Sequence, residues 1–226
     1  MKKIIMQSLP VFILLMLVSA VLEAAKPFEG VITYKVTYPD SKFTEAQLAM
    51  FPKVMTISVK GSKARTEMNI AMGKQIAIID YVAKTKVTLI DMMNQKYAIK
   101  QTSQDIDKEN ADQPKGKVTI TNETKNISGY LCKKAIVTTD DDGVKSTFEV
   151  WFTEELGGKD VNFDDPMYKD INGVMMEFVM KNPQFSMKLS VTGVEKKSVS
   201  DKDFEIPTDY TLTTKEELKS KFGGGE

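Results

Sequence analysis

Apolar and polar residues alternate with a period of two along most of the chain. The clearest run is residues 185–194, in which every second residue is Phe, Met, Leu or Val and those between are mostly Ser, Lys or Thr. This period places alternate side chains on opposite sides of a β-strand. Similar runs recur between residues 28 and 194, and together they predict about eleven strands.

Short turn signals separate these strands. Gly61-Ser62 lies between two strand-like runs, and Asp142-Gly143 supplies the positive φ angles of a tight hairpin turn. Strands joined by such turns pair antiparallel with their neighbours in sequence. The number of strands predicts a mainly β fold. Because a flat sheet of this width would expose long edges, we expect a single large curved antiparallel sheet, an incomplete barrel, with two or three short helices.

Helical signals are few and short. Residues 40–51 change to a helical spacing that begins at an Asp-Ser pair and ends at Pro52. Thr214, with Glu217 three residues later, forms a capping box for a short helix near the C terminus. Residues 102–116 are polar and charged, with almost no large apolar side chain. Such a segment buries too little apolar surface to offset the cost of ordering it, so it predicts a loop, or else the best candidate for an internal domain boundary.

The first two dozen residues have the pattern of a secretory signal peptide. Lys2 and Lys3 precede an apolar run from Leu9 to Val18, and small residues follow as far as Ala24. No cysteine lies near this expected cleavage region, which argues against lipid attachment to the mature N terminus. We therefore expect residues 1–24 to be removed and the mature protein to be free, either periplasmic or secreted.

The rest of the chain is predicted to form one β domain with a short C-terminal extension. Residues 25–212 carry the strand pattern and the polar loop 102–116, and residues 213–226 carry a short helix and a flexible Gly-rich tail. No stretch after residue 24 approaches the roughly 20 apolar residues of a membrane-spanning helix. We therefore expect no stable membrane span.

The charge balance excludes one class of partner. Removing residues 1–24 takes away Lys2, Lys3 and Glu23 and leaves 29 basic and 30 acidic side chains. A nucleic-acid-binding protein would be expected to carry a basic excess or a basic stripe, so we expect no nucleic-acid partner. The sequence carries no signal for an oligomeric state.

The chain contains no histidine and one cysteine. Without imidazole, Ser-His-Asp and Cys-His catalysis and the common zinc sites are excluded. Catalysis by carboxylate side chains, or by Tyr and Lys, is not excluded by the composition. Cys132 lies in a strand-like run, so we predict a buried, inert thiol. We expect no cofactor, no metal and no enzymatic activity.

Methionine is the unusual residue type of this chain, with eleven after residue 24. Thioether side chains are flexible and polarizable, so they fill core gaps or line surfaces that accept variable apolar shapes. Both readings stay open: core filler, or a deformable cavity for acyl chains. Asp80, Asp91 and Glu177 interrupt apolar strands. Each either faces solvent or points inward as a polar group in a pocket.

Three segments resemble a family of exported Gram-negative proteins that is classed as a domain of unknown function and has a LolA/LolB-like fold. They are FEGVITYKV at 28–36, ISGYLCKKAIV at 127–137 with FEVWFTEEL at 148–156, and DFEIPTDYTL at 203–212. The resemblance implies an incomplete barrel whose short helices cover an apolar concave side. In the LolA and LolB relatives that side holds the acyl chains of lipoproteins. The resemblance implies no catalytic residue.

The leading hypothesis is an exported, non-enzymatic binding protein for a lipid-like or other apolar ligand, with a lipid or an acylated protein as partner. The candidate ligand-binding residues are the apolar positions of the clearest strands: Ile32, Tyr34, Val36, Met55, Ile57, Phe178, Met180, Met187 and Leu189. The alternative is a structural or interaction domain of the cell envelope with a packed core. A continuous apolar cavity above about 300 Å³ would favour binding, and a solid core would favour the alternative.

Overall fold

The computed structural model describes residues 27–39, 41–70, 73–92, 94–141, 143–182 and 185–222. The predicted signal peptide, 1–24, and the Gly-rich tail lie outside these residues. Twelve strands are present in the described chain: β1 (Glu29–Thr37), β2 (Val54–Lys60), β3 (Lys63–Ile70), β4 (Gly73–Asp80), β5 (Thr85–Met92), β6 (Gln95–Gln101), β7 (Lys117–Ile127), β8 (Tyr130–Asp141), β9 (Val144–Thr153), β10 (Val174–Asn182), β11 (Phe185–Lys196) and β12 (Thr211–Thr213). Three helices accompany them: α1 (Glu45–Leu48), α2 (Ser103–Asn110) and α3 (Lys215–Phe222).

All twelve strands belong to one sheet in the order β12-β6-β5-β4-β3-β2-β1-β11-β10-β9-β8-β7. Two antiparallel meanders, β1–β6 and β7–β11, are joined where β1 pairs with β11. β12 is the exception, since it pairs parallel to β6. The sheet is open, because the edge strands β7 and β12 do not pair with each other. The prediction of one large, curved, mostly antiparallel sheet is confirmed.

The main hydrophobic core lies on the concave side of β1, β2 and β8–β11. Ile32, Cys132 and Leu189 are fully buried there. The irregular segment 154–173 covers this side and contributes Leu156, Tyr168 and Ile171 to the core. Its shape is held by Asn162, whose buried Nδ2 donates to the carbonyl oxygens of Ile171 at 2.8 Å and Gly173 at 3.0 Å.

A second, smaller core lies on the opposite, convex side of β4–β6. Ile76 and Ile78 of β4 pack there with Leu89 and Ala98. Their cover is the segment 197–210, which crosses this side between β11 and β12 and contributes the side chains of Phe204, Ile206 and Tyr210. We call this segment the C-terminal strap. β4–β6 therefore bury apolar residues on the convex side, independently of what lies on the concave side.

The helix α2 corrects the prediction of a loop over 102–116. The Thr102 hydroxyl accepts a hydrogen bond from the Asp105 N–H, and the Asp105 carboxylate accepts one from the Thr102 N–H. This capping box satisfies two helix N-terminal donors. Ile106, the one large apolar side chain of the helix, is buried. One well-placed apolar residue and a cap thus order a segment whose composition is otherwise typical of a loop.

The other two helices agree better with their sequence signals. α3 begins after Thr214, whose hydroxyl accepts from the Glu217 N–H at 3.1 Å, as predicted. α1 is present but shorter than residues 40–51, and its N-cap is Thr44 rather than the Asp-Ser pair. The twelfth strand, β12, is absent from the sequence-based count because it has only three residues and no alternation to reveal it.

Candidate functional site

A cavity of about 550 Å³ lies under the concave side of the sheet, and we call it the inner cavity. Its floor comes from β2–β4, and its walls come from β10 and from residues 161–168. Strands β4 and β10 both line it although four strands separate them in the sheet. Because neighbouring strands lie about 4.8 Å apart, the sheet must curve around the cavity. The apolar lining is formed by Met55, Ile57, Met68, Ala77, Ile79, Val161, Met167, Tyr168, Met175, Phe178 and Met180.

A second cavity of about 640 Å³, the outer cavity, adjoins the first along β4–β6 and is covered by α3. Ala77, Lys86 and Glu109 line both cavities. The remaining apolar lining comes from Ile90, Met92, Ile99 and Leu218. Strands β4–β6 therefore carry open space on their concave side, while the C-terminal strap packs against their convex side.

A third space of about 400 Å³ extends the outer cavity at the end where β5 finishes. Met92 lines both. Except for Gln47, its lining is apolar and consists of Phe43, Met50, Phe51, Pro52, Ile70 and Met92. We call this space the apolar end. Its aromatic wall is well packed, with Phe43 stacked on Phe51 at a centroid distance of 4.9 Å and Phe51 edge-on to Phe185 at 5.0 Å.

A group of charged and polar side chains, which we call the polar bridge, lies between the inner and outer cavities. Lys86 Nζ binds Asp164 Oδ2 at 2.7 Å, and Asn110 Nδ2 donates to the Asp164 carbonyl oxygen at 3.0 Å. The Glu109 carboxylate pairs with Lys215 and accepts from Gln101 Nε2. Partial burial of Glu109 opposes ionisation, but these two donors outweigh it and hold the pKa of Glu109 below its usual value. The bridge ties α2, α3 and the cover segment 154–173 to the sheet.

Comparison with known proteins places the chain in a family. Residues 28–210 match the family model described as a domain of unknown function, DUF4412. The chain belongs to this family. No curated protein sequence matches the DUF4412 chain at a significant level. The predicted resemblance to a family of unknown function is therefore confirmed.

The PNGF-II structures resemble the fold of this DUF4412 chain at low sequence identity. PNGF-II, in its C2 and P21 crystal forms, is 18% and 19% identical with a TM-score of 0.55 in each, over 87% of this chain. The DUF4412 chain spans about a third of the length of the PNGF-II chains, 33% and 34%. LprF from Mycobacterium bovis aligns over 81% of this chain and 90% of its own, at 13% identity and a TM-score of 0.33.

Seven of the nine methionines in the described part of the DUF4412 chain line one of the three spaces. They are Met50, Met55, Met68, Met92, Met167, Met175 and Met180. The other two differ, since Met176 is fully buried in the main core and Met187 is partly buried against it. Thioether side chains are thus concentrated where the fold leaves space, which favours the second reading of the methionine content, a deformable apolar cavity.

The nine candidate ligand-binding residues all lie on the concave side, because the strand register pairs them with one another: Ile32 with Ile57, Tyr34 with Met55, Val36 with Leu189, Leu189 with Phe178, and Met187 with Met180. Four of them, Met55, Ile57, Phe178 and Met180, line the inner cavity. The other five, Ile32, Tyr34, Val36, Met187 and Leu189, pack in or against the main core.

Sequence reasoning missed the part of the site on β4–β6. Ala77, Thr88 and Ile90 line the outer cavity, as does Leu218 of α3. The alternation of β5 was a usable signal, but both of its faces carry apolar residues. Composition alone does not say which of the two faces stays open.

The three acidic residues that interrupt apolar strands do not line the cavities. The Asp80 carboxylate accepts hydrogen bonds from the Val82 and Ala83 N–H groups, both at 3.0 Å, and so closes the β4–β5 turn. Glu177 pairs with Lys125 and Lys188 on the convex side, and Asp91 lies 3.8 Å from Lys96. Their contacts explain them as turn and surface residues.

Cys132 lies in the main core with no exposed surface. Burial raises the pKa of its thiol, which keeps the sulfur protonated and disfavours the nucleophilic thiolate. The structure thus agrees with the predicted buried thiol.

Asp165 is expected to make stability depend on pH. Burial raises the pKa of its carboxyl, although the Met167 N–H donates to Oδ1 at 2.9 Å. A folded-state pKa above the unfolded value means that folding favours the protonated acid, so stability falls as pH rises through the raised pKa. Asp165→Asn keeps an acceptor for Met167 and cannot ionise. We expect the variant to gain stability over the wild type above that pKa, with the gain shrinking below the ordinary aspartate range.

Urea unfolding of both proteins across pH 3 to 8 checks this expectation. Asp107→Asn, at an exposed position of α2, is the matched control for loss of one carboxylate. Parallel pH profiles for Asp165→Asn and the wild type would show that burial of Asp165 has no energetic consequence.

Proposed function

We propose that this DUF4412 chain is an exported, non-enzymatic protein that binds a lipid-like, apolar ligand in the adjoining inner and outer cavities. The observation that carries the proposal is the pair of adjoining spaces on the concave side of the sheet, which are lined in part by methionine. Export rests on the signal-peptide pattern of residues 1–24, with the periplasm or the medium as destination.

The size and lining of the cavities support binding over a purely structural role. Sites for small molecules occupy about 300–1,000 Å³ and are mostly apolar, with a few polar groups. The inner cavity, of about 550 Å³, has mostly apolar lining residues. The outer cavity, of about 640 Å³, combines an apolar side formed by Ile90, Met92, Ile99 and Leu218 with the shared polar bridge. Both volumes lie within the range for such sites. A scaffold domain would fill this space with side chains, as the same sheet does around Ile32 and Leu189.

The contacts of the cavity carboxylates support a binding protein over an enzyme. A catalytic pair needs two carboxyl groups that converge on one cleft and stay available to substrate. Here Asp164 is paired with Lys86, Glu109 with Lys215, and Asp165 accepts from the main chain of its own loop. Each of the three carboxylates therefore has a structural partner.

Among the described residues, no helix is long and apolar enough to cross a membrane.

Ligand content tests the proposal. The protein would be purified from its native envelope fraction or medium without detergent, examined by native mass spectrometry, and extracted with organic solvent. We expect a co-purifying lipid, and saturable uptake of the neutral dye Nile red after delipidation. A protein that carries no ligand and takes up neither Nile red nor a fluorescent fatty acid would favour the alternative, a structural or interaction domain of the cell envelope.

A further inference from the structure

The lining of the outer cavity changes along the strand β5, from a polar end to the apolar residues that border the apolar end. Its four residues on the concave side run Lys86, Thr88, Ile90, Met92, from charged to apolar, and all four line the cavity. At about 3.3 Å per residue, Lys86 and Met92 lie roughly 20 Å apart along the strand. The neighbouring strand β6 follows the same direction, with Gln101 opposite Lys86 and Ile99 opposite Thr88.

Positive charge is in excess at the polar end. Lys86, Lys215 and Lys219 line the outer cavity there against a single carboxylate, that of Glu109. Asp164, which pairs with Lys86, borders the inner cavity rather than the outer one. Within the described chain Lys219 makes no ion pair, and it is exposed at the cavity mouth on α3. An anion at this mouth could therefore bind at least one lysine without breaking an existing ion pair.

The opposite end of the same cavity offers mostly apolar contacts to a ligand, with Gln75 beside Ile90 and Gln47 in the apolar end as the polar residues of the lining. Ile90 and Met92 lead into the apolar end, where Phe43, Met50 and Phe51 continue the lining. A hydrocarbon chain that enters from the mouth at α3 can follow this direction along a mostly apolar lining. Since burial of each methylene is favourable, this arrangement suits a long chain rather than a compact apolar molecule.

We propose that the ligand is an amphiphile with an anionic head, a carboxylate or a phosphate, bound at Lys215 and Lys219 with its chain directed along β5 towards Met92. This inference rests on the proposed function, that the cavities bind an apolar ligand, and it adds the charge of the head and the orientation of the chain. Lys86 is the third lysine of the polar end, and its ion pair with Asp164 in the polar bridge holds it there.

Displacement of Nile red by four matched amphiphiles tests the inference. The competitors share a tetradecyl chain and differ only in the head: pentadecanoate, tetradecyl phosphate, tetradecanol and tetradecyltrimethylammonium, each below its micelle concentration. Because exposed charge pairs contribute modestly, we expect the anions to bind roughly fivefold more tightly than the alcohol, and the ammonium least tightly. The advantage of the anions should decline at high salt. The stronger of the two anions indicates whether a fatty acid or a phosphate-bearing lipid is the source.

Variants of Lys219 locate the head group. Lys219→Gln should lower the advantage of the anions over the alcohol, and Lys219→Glu should reverse it. The ratio of anion affinity to tetradecanol affinity, measured on the same variant, separates loss of the charge from a change in cavity shape. Lys145→Gln, at an exposed position of β9, is the matched control. Equal affinity of wild type for anion, alcohol and ammonium overturns the head-group inference and leaves the proposed function standing. Failure of wild type to take up Nile red or any competitor overturns both.

Discussion

Replacing Ala77 with tryptophan is expected to reduce Nile red uptake at least tenfold while the protein stays folded. Ala77 lies in the wall shared by the inner and outer cavities, so an indole at this position would occupy both. The space is already present, so the larger side chain need not incur the roughly 1–3 kcal/mol that overpacking costs in a filled core. Dye titration measures the loss, and urea unfolding measures the stability.

Ala83→Trp is the matched control for this substitution. Ala83 is exposed in the turn between β4 and β5, so the same change of side chain there leaves the cavities as they are. Uptake should equal that of the wild type. If Ala77→Trp also bound Nile red normally, the dye would have to bind outside the two cavities, and the proposed site would be wrong.

Replacing Tyr34 with alanine is expected to lower the free energy of unfolding by about 3–5 kcal/mol, the usual range for a large aromatic residue in a core. Tyr34 is 1% exposed and lies edge-on to Phe178 with centroids 6.2 Å apart. Its hydroxyl donates to the Met175 carbonyl oxygen at 3.0 Å, so the side chain links β1 to β10 across β11. Urea unfolding followed by the fluorescence of Trp151 measures the change.

Tyr34→Phe separates the ring from the hydroxyl. It keeps the packing and removes one hydrogen bond, so a loss of about 1 kcal/mol is expected. Because Tyr34 packs in the main core and does not line a cavity, Tyr34→Phe should also keep normal Nile red uptake. A loss below about 1 kcal/mol for Tyr34→Ala would contradict the packing of this core.

Most of the fold could be predicted from the sequence because a period of two is a direct consequence of strand geometry. The same period explains why all nine candidate residues lie on one side of the sheet. The parallel pairing of β12 with β6 could not be predicted, since it depends on where the strap ends after crossing the sheet. The capping residues Thr102 and Asp105 are a sequence signal for the start of α2. The polar composition of the residues around them favours a loop, and it outweighed this short signal.

The division of the concave side into a packed half and a hollow half could not be predicted from the alternation. Ile32 and Ile57 are cross-strand neighbours of the same chemical type, yet Ile32 is in the core and Ile57 lines the inner cavity. The irregular segment 154–173 takes part in both surroundings, since its Val161 and Met167 line the inner cavity with Ile57 and its Leu156 and Ile171 pack in the main core with Ile32. Its path depends on long-range contacts such as those of Asn162, which leave no periodic trace in the sequence.

The strap on the convex side has a consequence for how this family can diversify. In β4, Ile76 and Ile78 anchor the strand under the strap, while the intervening Ala77 faces the cavities. Burial that stabilises the strand and contacts that would select a ligand are thus assigned to alternate residues of the same strand. Substitutions at the cavity-facing positions can therefore change the shape of the cavity with little penalty to folding.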